Sequence, residues 1–183
     1  MSFLLSHSTL HAESGKDDFP SERQISLVLT QAERAFDTYE NTLRLEAQLT
    51  GGPESVAKDK ESLTMARNVL ADIKQNPSKA FNSPMGFLLV TSLDDASRNM
   101  ALCMGQGGMQ SAMELQDGKA SSAAVKLHIS QTCLDASTLL FTVSESALDL
   151  YAQFLSAEYK LTQNAADGLQ KCADALKKAG PQR

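Results

Sequence analysis

Apolar residues recur at every seventh position through the last third of the chain. From Lys119 to Ala179 the sequence has no proline and a single glycine, Gly168. One column of the repeat reads Leu127, Leu134, Phe141, Leu148, Leu155, Thr162, Leu169, Leu176, and the column one residue earlier reads Lys126, Cys133, Leu140, Ala147, Phe154, Leu161, Gly168, Ala175. A seven-residue apolar period kept over this distance predicts a helical seam, as in coiled coils and helix bundles.

The same segment has one weak point as a helix. Sixty residues of straight helix would span roughly 90 Å, which is far longer than a compact domain of this size. The residues Val143–Ser146 weaken a helix, and Ser144 has the side chain of an N-cap. The pattern therefore predicts either one long helix or two helices broken near 143–146. Cys133 and Cys172 distinguish the two versions. On one straight helix they lie about 58 Å apart and cannot form a disulfide within a chain. Two helices folded back on each other could bring them together.

Three serines follow the same period. Ser130, Ser137 and Ser144 lie between the two apolar columns. Small side chains at that spacing predict a line along which a neighbouring helix approaches closely.

Helix-breaking residues divide the rest of the chain into shorter helices. Prolines, glycines and serines at characteristic positions mark where each helix begins and ends. The predicted elements are a first helix from the N-cap Ser21 to Gly51-Gly52-Pro53, a second from Glu54 to about Gln75 before Asn76-Pro77, a third from Ser83-Pro84 to Gly105, a glycine elbow over 105–108, and a short helix over Met109–Gln116. The fold class is therefore all-α: an elongated bundle of four to five helices with a long C-terminal helix.

Each predicted helix carries apolar residues at helical spacing, which predicts its inner face. The first contributes Ile25, Val28, Leu29, Ala32, Phe36, Tyr39, Leu43 and Leu49; the second Leu63, Ala66, Val69, Leu70 and Ile73; the third Leu88, Leu89, Leu93, Ala96, Met100 and Cys103.

The first twenty residues have a different character from the rest. They lack usable periodicity and resemble the tail of a secretory signal, with Ala12 at the cleavage position, although no basic segment precedes the apolar stretch. The domain prediction is an arm or signal remnant over 1–20 and one helical domain over 21–180. The signal reading favours a periplasmic or secreted protein over a cytoplasmic one. His7 and His11 lie in this segment and are expected to be incidental.

Charge narrows the class of partner. The net charge is −5 over 183 residues, which argues against nucleic-acid binding as the main task. The sequence has no run of about eighteen apolar residues, so no membrane span is predicted. The net charge of residues 80–159 is −5 and that of residues 160–183 is +3. No Lys or Arg occurs between Leu127 and Tyr159. This segment is expected either to pack on most of its faces or to be covered by a partner, a basic one among the candidates.

Candidate chemistry is sparse. The sequence lacks a phosphate loop, a dinucleotide fingerprint, a nucleophile elbow and the usual metal-binding motifs. No catalytic, cofactor or metal residue is therefore predicted. Three cysteines exclude a disulfide-dense scaffold and a four-cysteine zinc site, and each lies on or near an apolar stripe, which predicts burial.

One sulfur-rich cluster has a less ordinary composition. Met100, Cys103, Met104, Met109 and Met113 surround the predicted glycine elbow. The first interpretation is that these side chains fill the core where two helices meet at a corner. The alternatives are that they form an adaptable surface for a partner protein or that their sulfur atoms bind Cu(I). His128 and Asp135 in the polar column complete the candidate partner or ligand surface.

The predicted function is binding rather than catalysis, because no acid–base pair is visible. Two apolar columns on one long helix are more than three other helices are expected to cover. We therefore expect a protein-binding bundle of bacterial character, an adaptor, chaperone or immunity-type protein, whose partner is another protein or a second copy of itself. The alternative is a bundle that binds a small ligand or a metal in a Met-lined pocket.

Overall fold

The computed structural model describes residues 19–178, with side chains up to residue 174. This part of the chain is almost entirely helical and contains no strand, so the all-α prediction is confirmed. The predictions for the N-terminal arm, Ala12, His7 and His11 lie outside the described residues, as do the side chains of Ala175 and Leu176.

Five α-helices follow one another along residues 19–178. They are α1 (Glu22–Thr50), α2 (Ala57–Gln75), α3 (Pro77–Phe81), α4 (Pro84–Gln116) and α5 (Ala120–Lys178), with a 3-10 turn over Pro53–Val56. The sequence did not predict α3: Pro77 ends α2 as expected but also begins a short helix, since proline fits the first helical turn.

The predicted helix ends are confirmed where capping residues mark them. The Ser21 hydroxyl accepts a hydrogen bond from the Gln24 amide at 3.3 Å, and the Gln24 side chain accepts one from the Ser21 amide at 2.8 Å. These reciprocal bonds form a capping box. Gly51 ends α1 with φ of 99°, a conformation that favours glycine. The Ser83 hydroxyl caps α4 by accepting from the Met85 amide at 3.2 Å.

The last helix runs without a break. α5 has 59 residues, so a straight path would measure about 88 Å. Ser144 does not cap a new helix; its hydroxyl instead donates to the Val90 carbonyl of α4 at 3.2 Å. Of the two predicted versions, the uninterrupted helix is the one observed, and Cys133 cannot reach Cys172.

The core lies where α1, α2 and α4 meet the first two thirds of α5. Every predicted inner residue of α1 is buried, and so are those of α2 apart from the partly buried Val69. On α4, Leu88 was expected inside but is about half exposed, while its neighbour Leu89 is fully buried. A disulfide between Cys103 and Cys133 joins α4 to α5 within this core.

A ladder of serine hydroxyls joins α4 to α5. The three serines predicted to allow close approach each donate to a main-chain carbonyl of α4, and the acceptors are also seven residues apart, in descending order. The pairs are Ser130 with Met104 (2.8 Å), Ser137 with Ser97 (2.8 Å) and Ser144 with Val90 (3.2 Å). Ser97 returns a bond to the Ser137 carbonyl at 2.9 Å. The two helices are therefore antiparallel and in close contact for about four turns.

The glycine elbow predicted over 105–108 is wrong. α4 continues through these residues and also includes the predicted short helix over Met109–Gln116. Gly107 is buried in the contact with α5, where an added Cβ would lie 2.9 Å from the Cβ of Ser130. Its lack of a side chain therefore serves close helix packing, and packing overrides the low helix propensity of glycine.

Two neighbouring glycines test this contact. Gly107→Ala should lower the free energy of unfolding by about 1–3 kcal/mol, because the new methyl group overpacks the seam. Gly105 is the matched control, since an added Cβ there meets nothing within 4 Å. Gly105→Ala should raise stability by about 0.5–1 kcal/mol through helix propensity. Urea unfolding measures both, and equal effects of the two substitutions would contradict the close contact.

Candidate functional site

One of the two apolar columns of α5 lies on the surface. Its residues Leu127, Leu134, Phe141, Leu148 and Leu155 are each between 47 and 53 % exposed. We call these five residues the α5 stripe. In the column one residue earlier, Cys133, Leu140, Ala147 and Phe154 are all buried.

The serine ladder and the packing of α1 on α5 together explain why the two columns differ. It fixes the rotation of α5 by turning the face that carries the serines toward α4. Successive residues of a helix are about 100° apart, so the two columns lie on opposite sides of this ladder. One column consequently faces α1 and the core, while the α5 stripe lies on the outer side of the contact with α4.

The surroundings of the stripe are acidic. Glu145 lies four residues after Phe141 and Asp149 four after Glu145, a spacing that places them along one side of the stripe. Asp135 follows Leu134 directly, and all three carboxylates are exposed. Because no Lys or Arg occurs from Leu127 to Tyr159, α5 offers no cation of its own along this surface.

The end of α5 extends beyond the other helices. Every residue from 158 to 174 is exposed, although the helix continues to Lys178. Leu161 is 56 % exposed and Leu169 is 72 % exposed. We call residues 158–178 the projecting end of α5.

The predicted sulfur cluster is divided between the core and the surface. Met100 is fully buried, Cys103 is in the disulfide, and Met104 is partly buried against the core. Met109 and Met113 are mostly exposed. Since α4 is one continuous helix through the glycines, the buried and exposed members lie on different sides of it, and the five residues do not form one surface. No group of three or more metal-ligating His, Cys, Asp or Glu residues occurs within the described residues.

The other predicted residues are at the surface. His128 and Asp135 are both exposed on α5, about 10 Å apart along the helix axis. Both directly follow a residue of the α5 stripe, His128 after Leu127 and Asp135 after Leu134, and both lie about 100° around the helix from it. The prediction that all cysteines are buried is wrong for Cys172, which is exposed on the projecting end, because no other helix reaches this part of α5.

A groove between α2 and α4 was not predicted. Its volume is about 790 Å³, its walls include Leu63 and Val69 of α2 and Leu102 of α4, and Tyr39 lies among the lining residues from α1. None of the four clustered methionines lines it; Met65 does. Sequence periodicity identifies the inner face of each helix but not the gap that a pair of helices leaves, so no signal predicted the groove.

A partly buried polar cluster links α1, α2 and α4. The side-chain amide of Asn99 donates to the Tyr39 hydroxyl at 3.3 Å and to the Asp59 carboxylate at 2.9 Å. Burial raises the pKa of Glu46 to about 7, and the neighbouring charge of Asp59 adds to the increase. Burial likewise raises the pKa values of Asp59 and Tyr39. Within the described residues, Glu46 Oε2 is buried without a hydrogen-bond partner.

This cluster makes stability depend on pH. The pKa of Glu46 rises from an ordinary value of 4.5 to about 7 on folding, so its contribution to the free energy of unfolding is complete below about pH 4.5 and is lost as the pH rises through about 7. Glu46→Gln should therefore raise stability at pH 8 and flatten the fall in stability between pH 5 and 8. Chemical unfolding across this range measures the effect.

The exposed Glu61 of α2 provides the control. Glu61→Gln should change the free energy of unfolding at pH 8 by less than about 0.5 kcal/mol, as is usual for a surface substitution. An unaltered slope in the Glu46→Gln variant would show that the carboxyl group of Glu46 titrates as it does in the unfolded chain.

Comparisons with known proteins add no family to these observations. The chain matches no protein-family model, no curated protein and no solved structure. Within residues 19–178, no helix combines the length and the apolar character that crossing a membrane requires.

Proposed function

We propose that this chain is a non-enzymatic protein-binding helical bundle and that the α5 stripe is its binding surface. The observation that carries the proposal is the regularity of the stripe: five large apolar side chains, seven residues apart, are all about half exposed. Isolated exposed apolar residues are normal in a globular protein. A column with the period of a coiled-coil seam is the pattern that receives another helix.

The stripe holds enough apolar surface to contribute to association. Full burial of a Leu or Phe side chain is worth about 1.5–3 kcal/mol. Five side chains that are about half exposed therefore retain about 4–7 kcal/mol, to which the apolar face of the partner adds a similar amount. This gain is comparable to the estimated cost of association, which is about 4–15 kcal/mol. Charge complementarity at the rim then determines which partner binds.

The acidic rim indicates the chemistry of that partner. Charges beside an apolar seam set the choice of partner in paired helices. Asp135, Glu145 and Asp149 are exposed beside or near the stripe. The partner we propose is an amphipathic helix with leucine-type residues on one face and Lys or Arg at the edges of that face.

Two synthetic helical peptides test the proposal. They have the same leucine heptads and differ only in their flanking residues, Lys in one and Glu in the other. The lysine peptide should bind the full chain, measured by fluorescence anisotropy, and added salt should weaken binding. The combined variant Phe141→Ser/Leu148→Ser should reduce affinity at least tenfold, because both residues contribute to the apolar contact.

Leu115 is the matched control, because it is similarly exposed but lies at the end of α4, outside the stripe. Leu115→Ser should leave peptide binding unchanged. Equal binding of the lysine and glutamate peptides, or binding that survives loss of Phe141 and Leu148, would contradict the proposal.

The disulfide is consistent with the expected compartment. Disulfides form and persist mainly in oxidising environments, and Cys103–Cys133 is buried between α4 and α5. This supports a periplasmic or secreted protein as part of the proposal.

The groove between α2 and α4 favours a second candidate function, small-ligand binding. Its volume of about 790 Å³ falls within the range of about 300–1,000 Å³ usual for ligand pockets. Its lining combines apolar side chains with the polar Tyr39 and Asn99 and the charged Asp95 and Arg98. Native mass spectrometry of protein purified from its host tests this candidate: a stoichiometric lipid or other small molecule would support it, and the mass of the bare chain would count against it.

A further inference from the structure

The groove between α2 and α4 has two walls of different chemistry. The wall from α2 is mostly apolar and includes Leu63, Ala66 and Val69. The wall from α4 carries mainly polar side chains between two leucines, Leu88 and Leu102. A small molecule that fits both walls is therefore amphiphilic, with an apolar part and a polar head group.

A buried tyrosine lies where the groove reaches α1. Tyr39 is 1 % exposed and lines the groove. Its hydroxyl oxygen accepts a hydrogen bond from the side-chain amide of Asn99 at 3.3 Å. Among the residues that the structure describes, none accepts the proton of this hydroxyl. A buried donor without an acceptor costs free energy, so an acceptor on a bound ligand would stabilise this arrangement.

The Tyr39 hydroxyl keeps its proton near neutral pH. Burial raises the pKa of Tyr39, and the negative charges of nearby carboxylates add to the increase. These carboxylates belong to Glu46 of α1, Asp59 of α2 and Asp95 of α4. Tyr39 is therefore a hydrogen-bond donor, and the surrounding negative charge opposes an anionic head group beside it.

Asn99 provides an acceptor next to this donor. Its amide nitrogen donates to the Asp59 carboxylate at 2.9 Å as well as to Tyr39. An ionised carboxylate can only accept, so this bond fixes the orientation of the amide. The amide oxygen of Asn99 accepts no hydrogen bond from any residue over 19–178. A donor and an acceptor, both without a partner, thus lie side by side in the lining of the groove.

The charged residues of the lining do not favour an ionic head group. Arg98 is already paired with Asp94 of its own helix, at 2.9 Å from Nε and 2.7 Å from Nη2. Asp95 would attract an ammonium group, but an ammonium group has no lone pair and cannot accept the proton of Tyr39. The polar atoms of the groove therefore select a head group that both accepts and donates.

We propose that the groove between α2 and α4 binds an uncharged amphiphile with a hydroxyl head group, which accepts a hydrogen bond from Tyr39 and donates one to the amide oxygen of Asn99. The alkyl part of this ligand lies along the apolar wall of α2. A single hydroxyl is both donor and acceptor, so one group satisfies both residues. This inference rests on the second candidate function, because it names the ligand class for the same groove.

Three ligands of equal chain length test the head group. Nonanol, nonanoate and nonylammonium, each below its micellar concentration, are titrated into the full chain near neutral pH by isothermal calorimetry. Nonanol should bind about tenfold more tightly than either ion, because each ion loses its hydration and satisfies only one of the two polar atoms. Equal or tighter binding of nonanoate or nonylammonium would overturn the ligand class.

The variant Tyr39→Phe removes the donor and keeps the aromatic ring. It should weaken nonanol binding by about three- to tenfold, the usual effect of losing one hydrogen bond. Binding of nonylammonium should not change, because this ligand makes no bond to the Tyr39 hydroxyl. An unchanged affinity of Tyr39→Phe for nonanol would overturn the proposed contact.

Two similarly exposed leucines of α4 test the location. Leu102 lines the groove and is 66 % exposed, whereas Leu115 is 61 % exposed and lies outside it. Leu102→Ser should weaken nonanol binding by about threefold or more through lost apolar contact, and Leu115→Ser should not. The variant Phe141→Ser/Leu148→Ser should retain nonanol binding, which separates the groove from the α5 stripe. Equal effects of the two leucine substitutions would overturn the groove as the site.

Failure of this inference can be distinguished from failure of the second candidate function. Binding of nonanoate or nonylammonium that Leu102→Ser weakens, without binding of nonanol, overturns the ligand class alone. No binding of any of the three ligands overturns both. Nonanol binding that Tyr39→Phe and Leu102→Ser each weaken supports both.

Discussion

The contact between α4 and α5 is the constraint on which the rest of the structure depends. Ser130, Ser137 and Ser144 each donate to a carbonyl of α4, and Gly107 removes the side chain that would keep the helices apart. Each hydroxyl is satisfied by an oxygen that already accepts within its own helix, so polar groups enter the interface without being left unpaired. The disulfide between Cys103 and Cys133 joins the same two helices covalently. A closed loop of this length stabilises a fold by about 3–4 kcal/mol.

This contact also determines which apolar residues remain at the surface. Once the serines face α4, the two apolar columns flank that contact, and α1 packs on the side of the column that includes Leu140 and Phe154, which leaves Phe141 and Leu148 exposed. The exposure of the α5 stripe thus follows from the packing that stabilises the bundle. Shortening α5 would not remove the stripe, because most of it lies beside α4. In the proposed complex another helix would remove this apolar surface from water, and the acidic rim would limit which helix can do so.

Local signals in the sequence predicted much of the architecture, and contacts between helices determined the rest. The capping residues Ser21 and Ser83 and the left-handed Gly51 act within one turn of the chain, so the helix ends were predictable. The glycines at 105–108 were misinterpreted because, considered locally, they break a helix; only the presence of Ser130 opposite explains why α4 continues. The heptad period predicted the α5 surface but not which column would be exposed. The groove between α2 and α4 and the polar cluster around Asn99 had no local signal at all.

The most direct test of the central claim, that another helix covers the α5 stripe, is hydroxyl-radical footprinting of the purified chain with and without the lysine peptide. Phe141 in the stripe and Met113 on α4 are similarly exposed in the single chain. Met113 lies outside the stripe and is therefore the internal control, whose oxidation should not depend on a partner. The account predicts that oxidation of Phe141 falls as the lysine peptide is added, while oxidation of Met113 stays constant. Oxidation of Phe141 that stays constant would contradict it.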